Sequence, residues 1–213
     1  RTVPQLAWSA RVKTSTATAQ SDSLQRVPDA VDNPVLSDAC GRSLKVLLLL
    51  DTSGSTSGYN DAYRTAAKTF VDTLAGTRTT LKISTFATDS SPGAATYDLA
   101  VAGGQGQTDA NKRLDDIYPS NFSGSGSTNW DAAMQDAAKA DVDVIVFITD
   151  GNPTVHVGGA GSPEDLAFGI ASANLAKHPT MGATDAQQRI IGVGVGTEMP
   201  VPNILSMSGP VDG

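Results

Sequence analysis

From Leu44 onward the apolar positions fall into two recurring patterns. The first is a short, nearly unbroken apolar run closed by a polar or glycine-rich stretch: Leu44 to Leu50, Val142 to Thr149 and Arg189 to Val195. Runs of this length bounded by turn residues predict strands buried on both faces. Leu81 to Phe86 alternates instead and predicts a further strand, with a short one at Tyr97 to Val101. The second pattern repeats at helical spacing. Tyr63, Ala66, Ala67, Phe70, Val71 and Leu74 predict an amphipathic helix over Asp61 to Ala75, stopped by Gly76. Thr108 to Ile117 and Trp130 to Ala140 predict two more, the latter capped by Asn129. Ser162-Pro163-Glu164-Asp165 supplies a cap, a first-turn proline and N-terminal acids for a helix reaching about Lys177. Strands alternating with helices imply an α/β fold with a mostly parallel sheet covered on both faces.

Residues 1–43 follow neither pattern. Trp8 to Thr18 is Thr-rich and partly alternating and predicts an extended strand; Asp22 to Cys40, with Pro28 and Pro34, has the chemistry of a linker. The chain thus divides into an N-terminal extended segment or linker over 1–43, either part of a neighbouring β-domain or an arm on the surface, and an α/β domain over 44–213. One hypothesis is that the Trp8–Thr18 strand covers an exposed edge of the sheet.

Composition narrows the function. Among 213 residues there are 15 basic and 22 acidic side chains, a net charge of −7. No basic stripe appears, which argues against nucleic acid and anionic membranes as partners. No apolar run approaches the length of a membrane span, and no signal peptide opens the chain. Cys40 is the single cysteine, so neither a disulfide framework nor a thiolate zinc site is expected.

The candidate chemistry sits where the strands end. Asp51 closes the first apolar run and is followed at alternate positions by Ser53 and Ser55. Open α/β sheets bind ligands beyond the carboxyl ends of their strands. Carboxylate and hydroxyl oxygens are hard ligands that suit Mg²⁺, Ca²⁺ or Mn²⁺ rather than zinc.

Asp51-x-Ser53-x-Ser55, Gly126-Ser127-Thr128-Asn129-Trp130 and the Val144–Thr149 run ending in Asp150-Gly151 together resemble von Willebrand factor type A domains with a metal-ion-dependent adhesion site. All five motif positions are matched in the family's order, and the resemblance covers roughly Leu44 to Gly209. It implies a doubly wound, mostly parallel, Rossmann-like sheet, with the Tyr97–Val101 strand antiparallel at an edge. The family's last strand and helix would lie beyond this chain. It also implies that Ser53, Ser55 and Thr128 coordinate a divalent cation, Mg²⁺ first and Mn²⁺ or Ca²⁺ next. Asp51 and Asp150 would then act directly or through water. The cation's open position would take an Asp or Glu carboxylate from a protein partner. Tyr59, Phe122, Asn152 and His156 are the candidates for the rim of that site.

The expected function is an extracellular or cell-surface binding or adhesion module rather than an enzyme. The alternative is an intracellular subunit coupled to an ATPase or chelatase complex through the same site. A metal-dependent hydrolase lacks a general base beside the motif. Asp51-Thr52-Ser53 is similar to the Asp-Thr-Gly of aspartic proteases, but serine replaces the glycine and no second copy follows. A phosphatase using Asp51 would want an acid where Ser53 stands. Gly192-Val193-Gly194-Val195-Gly196 begins inside a predicted strand, which favours close helix packing over a nucleotide site. His156 and His178 are expected at the surface.

Overall fold

The computed structural model describes residues 28–33, 43–161, 163–177, 188–196 and 201–209. The expectations for Trp8–Thr18, Cys40, Ser162 and His178 lie outside these residues. The strands are β1 (Leu44–Asp51), β2 (Thr79–Phe86), β3 (Ser90–Ser91), β4 (Thr96–Asp98), β5 (Val144–Thr149) and β6 (Arg189–Gly194). The helices are α1 (Asn60–Leu74), α2 (Gln105–Ile117), α3 (Trp130–Ala137), α4 (Glu164–Lys177) and α5 (Val201–Ser208).

The sheet runs β3-β2-β1-β5-β6, and β4 also pairs with β2. Strands β2, β1, β5 and β6 are mutually parallel, whereas β3 and β4 are antiparallel to β2. The antiparallel strand expected at Tyr97–Val101 is β4, over Thr96–Asp98, and β3 was not expected. From β1 the chain winds outward through β2 on one side and through β5 and β6 on the other. The topological switch point thus falls between β1 and β5, whose ends carry Asp51 and Asp150.

Period-two alternation along β1 divides the core in two. Val46, Leu48 and Leu50 pack with Tyr63, Ala67 and Val71 of α1 and with Leu114 and Ile117 of α2. Leu47 and Leu49 point the other way, against Trp130 and Met134 of α3, Ile170 of α4 and Met207 of α5. Both faces are covered, which is why this strand reads as a continuous apolar run rather than an alternating one.

Three elements differ from expectation. Helix α2 begins at Gln105, so Gly106 belongs to its first turn; a Cβ there would stand 1.9 Å from the Asp98 carbonyl oxygen. The glycine permits close packing of α2 on β4, and the helix starts three residues before the predicted Thr108. Helix α3 ends at Ala137 and β5 starts only at Val144, with tight turns between them. No strand follows β6 among the described residues, yet a helix does: α5 was missed.

Residues 28–33 lie along the surface of the domain. Asn174 of α4 grips them through its carboxamide, accepting from the Val31 N–H (3.0 Å) and donating to the Asp29 carbonyl (2.9 Å). Lys177 donates to the Val31 carbonyl at 2.9 Å. The Asn33 carboxamide meets β6, donating to the Ile190 carbonyl and accepting from the Ile190 N–H, each at 2.8 Å. On this outer strand it takes the place of a neighbouring peptide group.

Candidate metal centre

Three loops converge at the switch point. The first follows β1. Ser53 is extended (φ −64°, ψ 172°) and opens a 3-10 turn over Gly54–Gly58. The Thr56 hydroxyl closes that turn on the Ser53 carbonyl at 2.7 Å. The second loop approaches closely because of its glycines. A Cβ on Gly124 would stand 2.0 Å from the Ser53 carbonyl oxygen, and Gly126 has φ +80°, a conformation other residues rarely adopt. Backbone bonds join the two loops, Gly54 N–H to Gly126 O at 3.1 Å and Ser125 N–H to Thr52 O at 3.2 Å. Asn129 then caps α3 by accepting from the Ala132 N–H at 2.9 Å, as its position predicted. The third loop follows β5.

All five motif side chains are brought together. The Thr128 hydroxyl donates to Ser53 Oγ at 3.0 Å, Ser53 Oγ and Ser55 Oγ are 3.2 Å apart, and Ser55 donates to Asp150 Oδ1 at 3.0 Å. Asp51 is held from both sides: Oδ1 accepts from the Ser53 N–H (2.9 Å) and Oδ2 from the Thr149 hydroxyl (2.6 Å). Asp51, Ser53, Thr128 and Asp150 are buried, and Ser55 faces solvent.

Burial pushes the Asp51 carboxyl up to about 6; its hydrogen bonds to Thr149 and Ser53 oppose the rise, and the charge of Asp150 adds to it. Burial also raises Asp150 above the usual carboxylate range. The Tyr63 hydroxyl, buried nearby, is close enough to feel Asp150 but makes no hydrogen bond of normal length. Two buried carboxylates thus share one small region, and a divalent cation would relieve their repulsion. The donors are all oxygens, three of them neutral hydroxyls, which fits Mg²⁺, Mn²⁺ or Ca²⁺ and not zinc. Among the described residues no three His, Cys, Asp or Glu side chains gather in a metal-binding group.

The four rim candidates are placed differently. Tyr59 is half-buried against the core, and a Cβ on Gly196 would stand 3.1 Å from its ring. Phe122 packs edge-on against Tyr118 at 5.0 Å and also lines an open pocket beside the second loop. Asn152 is exposed and accepts from the Asn203 amide of α5. His156 was expected at the surface but is turned inward. Its Nδ1 lies 2.7 Å from Asp165 Oδ1, and its ring stacks on Phe168 at 4.4 Å.

That inward turn reveals a support not visible in sequence. Thr128 is clamped by the third loop: its carbonyl accepts from the Thr154 N–H (2.8 Å), and its N–H donates to the Thr154 hydroxyl (3.0 Å). The loop is itself tied down by two buried aspartates. Asp131 Oδ2 accepts from the Val157 N–H at 3.0 Å, and Asp165 accepts from the Gly161 N–H at 3.0 Å and 3.2 Å. Ser172 and Gln135 complete the partners of Asp131. Thr149 and Tyr118, whose hydroxyl donates to the Asp51 carbonyl, were also missed. Thr149 directly precedes Asp150 and so had a positional signal; Tyr118 had none.

No family model matches the chain, and no curated protein matches it. Solved structures do. The pilus adhesin SpaC of Lactobacillus rhamnosus GG aligns with 72% of this chain and 24% of its own, at 17% identity and TM-score 0.50. A von Willebrand factor type A protein from Catenulispora acidiphila aligns with 78% of this chain and 36% of its own, at 15% identity and TM-score 0.52. The manganese-loaded TRAP protein of Plasmodium vivax aligns with 80% of this chain and 65% of its own, at 16% identity and TM-score 0.51. The chain therefore spans less than two thirds of each of these proteins. Its described residues form a six-stranded mixed sheet flanked by five helices, and the chain has the fold of von Willebrand factor type A domains.

Proposed function

We propose that this chain is a binding module that recognises a protein partner through a divalent cation, outside the cell or at its surface. Ser53, Ser55 and Thr128 would hold the cation, with Asp51 and Asp150 supplying charge directly or through water. Mg²⁺ is the first choice, with Mn²⁺ or Ca²⁺ next. The observation that carries this reading is the engagement of Asp51. Both its oxygens are taken, by the Ser53 N–H and the Thr149 hydroxyl, while neutral hydroxyls form the line from Thr128 to Asp150. A cation held mainly by neutral oxygens keeps much of its charge and attracts a further carboxylate, from an Asp or Glu of the partner. Recognition of this kind requires no nucleophile and no general base. The adhesin and the manganese-loaded protein among the structural neighbours support adhesion and a divalent cation respectively. Among the described residues, no helix is long and apolar enough to cross a membrane.

Calorimetric titration of metal-stripped protein with Mg²⁺ and Mn²⁺ tests this reading. One site is expected, removed by Ser53→Ala and by Asp51→Ala. A folded wild-type protein that binds neither ion would overturn it.

A further inference from the structure

An open pocket of about 310 Å³ adjoins the candidate metal centre. Ile117 and Phe122 give it apolar surface, Thr52, Ser123 and Ser125 give it hydroxyls, and Arg113 gives it a charge. No acidic residue lines it. The neighbouring cations are engaged: Arg64 with Asp61, Lys68 with Asp115, and Lys112 with Asp116. Arg113, by contrast, is exposed and makes no ion pair or hydrogen bond among the described residues. A guanidinium stays charged at any physiological pH, and its planar fork matches a carboxylate through two parallel hydrogen bonds. In a chain of net charge −7, this pocket is a local reversal of sign.

The pocket is lined by none of the five motif side chains but by their neighbours on the same two loops, Thr52 and Ser125. Thr52 stands between Asp51 and Ser53, and the Ser125 N–H donates to the Thr52 carbonyl at 3.2 Å. We propose that the pocket is a second anchor for the same partner: one carboxylate goes to the cation, and a second carboxylate of that partner goes to Arg113. The favoured ligand is a segment carrying two acidic side chains, with the apolar surface of Phe122 and Ile117 under the chain between them. This rests on the metal-bridged reading above.

The test uses Mn²⁺-loaded protein and capped synthetic peptides. One peptide carries a single Asp; the others carry two, separated by zero to four Gly. Having two acids raises affinity about twofold on statistics alone. At the best spacing, a further gain of about threefold to tenfold is expected from an additional charge-assisted pair. Arg113→Ala should erase that gain while leaving the affinities for Mn²⁺ and for the single-Asp peptide unchanged. Arg113→Lys should retain part of it, because the charge remains and the fork is lost. The second anchor is overturned if no spacing exceeds the statistical gain, if the gain survives Arg113→Ala, or if Mn²⁺ binds and neither kind of peptide does. Failure of wild-type protein to bind Mn²⁺ overturns the metal reading and the second anchor together. Binding of Mn²⁺ and of the single-Asp peptide without the gain overturns the second anchor alone.

Discussion

Asp51 stores a conflict between stability and binding. Its carboxyl rises from an ordinary 3.8 to about 6 when the chain folds without metal. Between those values the folded state holds a proton that the unfolded state has released, so this group's contribution to stability falls as pH rises through the window. Above pH 6 the cost is complete, on the order of 3 kcal/mol for a shift of this size. Asp51→Asn removes the charge and keeps the shape: its oxygen still accepts from the Ser53 N–H, and its amide donates to Thr149. In metal-free buffer at pH 7, this variant is expected to melt higher than wild type, by calorimetry, and to bind no Mn²⁺. A variant that melts lower and retains Mn²⁺ would contradict the assignment of Asp51 to the centre.

Among the elements, the third site loop depends most on its surroundings. It holds Thr128 in place, but the groups that hold the loop belong to α3 and α4, through Asp131 and Asp165. His156→Ala loses one hydrogen bond and the stack on Phe168. The expected cost is about 1 to 2 kcal/mol in urea unfolding. Loosening of the loop should also weaken Mn²⁺ binding several-fold at temperatures where the protein is fully folded, with faster amide deuterium exchange at Thr128. Unchanged Mn²⁺ affinity would confine His156 to a packing role. The same loop marks the limit of what sequence conveys. Strands β1 and β5 were readable because burial on both faces leaves almost nothing but apolar residues, β6 because Ile190, Ile191 and Val193 form a short apolar run although only Ile190 is buried, and α1 because one face repeats at helical spacing. The candidate centre was legible through its resemblance to the von Willebrand factor type A motif, and what the structure adds is that the five side chains meet. Thr154, Asp131 and Tyr118 were not, since their partners lie 26 to 67 residues away and local pattern carries no trace of them. Helix α5 escaped because eight residues offer barely two turns of periodicity, and Pro202 sits in its first turn, where a missing N–H does no harm.

At the scale of the molecule, one buried charge ties the outer segment to the core. Lys177, at the end of α4, is fully buried and donates to the Val31 carbonyl. Burial lowers its ammonium from 10.5 to about 8, against the opposing pull of Asp32. Between pH 8 and 10.5 the unfolded chain holds the proton that the folded chain has lost, so this group makes stability rise with pH across that window, by up to about 3 kcal/mol. Toward the top of the window, Tyr63 and Tyr118 act in reverse, because burial raises both hydroxyls above their usual range. Urea unfolding at pH 7.5 and pH 9.5 is expected to show the gain in wild type and to lose it in Lys177→Met. A gain that persists in the variant would place its origin elsewhere.

The carboxamide of Asn33 against Ile190 bears on how copies of this protein behave together. A strand at the rim of a sheet is a template, and any extended chain that meets it can add to it. Among the described residues a single side chain, offering one donor and one acceptor, stands guard over that part of the rim. Asn33→Ala removes two hydrogen bonds to Ile190 but no core side chain, so a folded monomer with lowered melting is expected in dilute solution. As the concentration rises, sedimentation velocity should then show association that wild type resists. Keeping molecules apart in a crowded solution would thus fall, among the described residues, to one amide, contributed by a residue outside the described strands and helices.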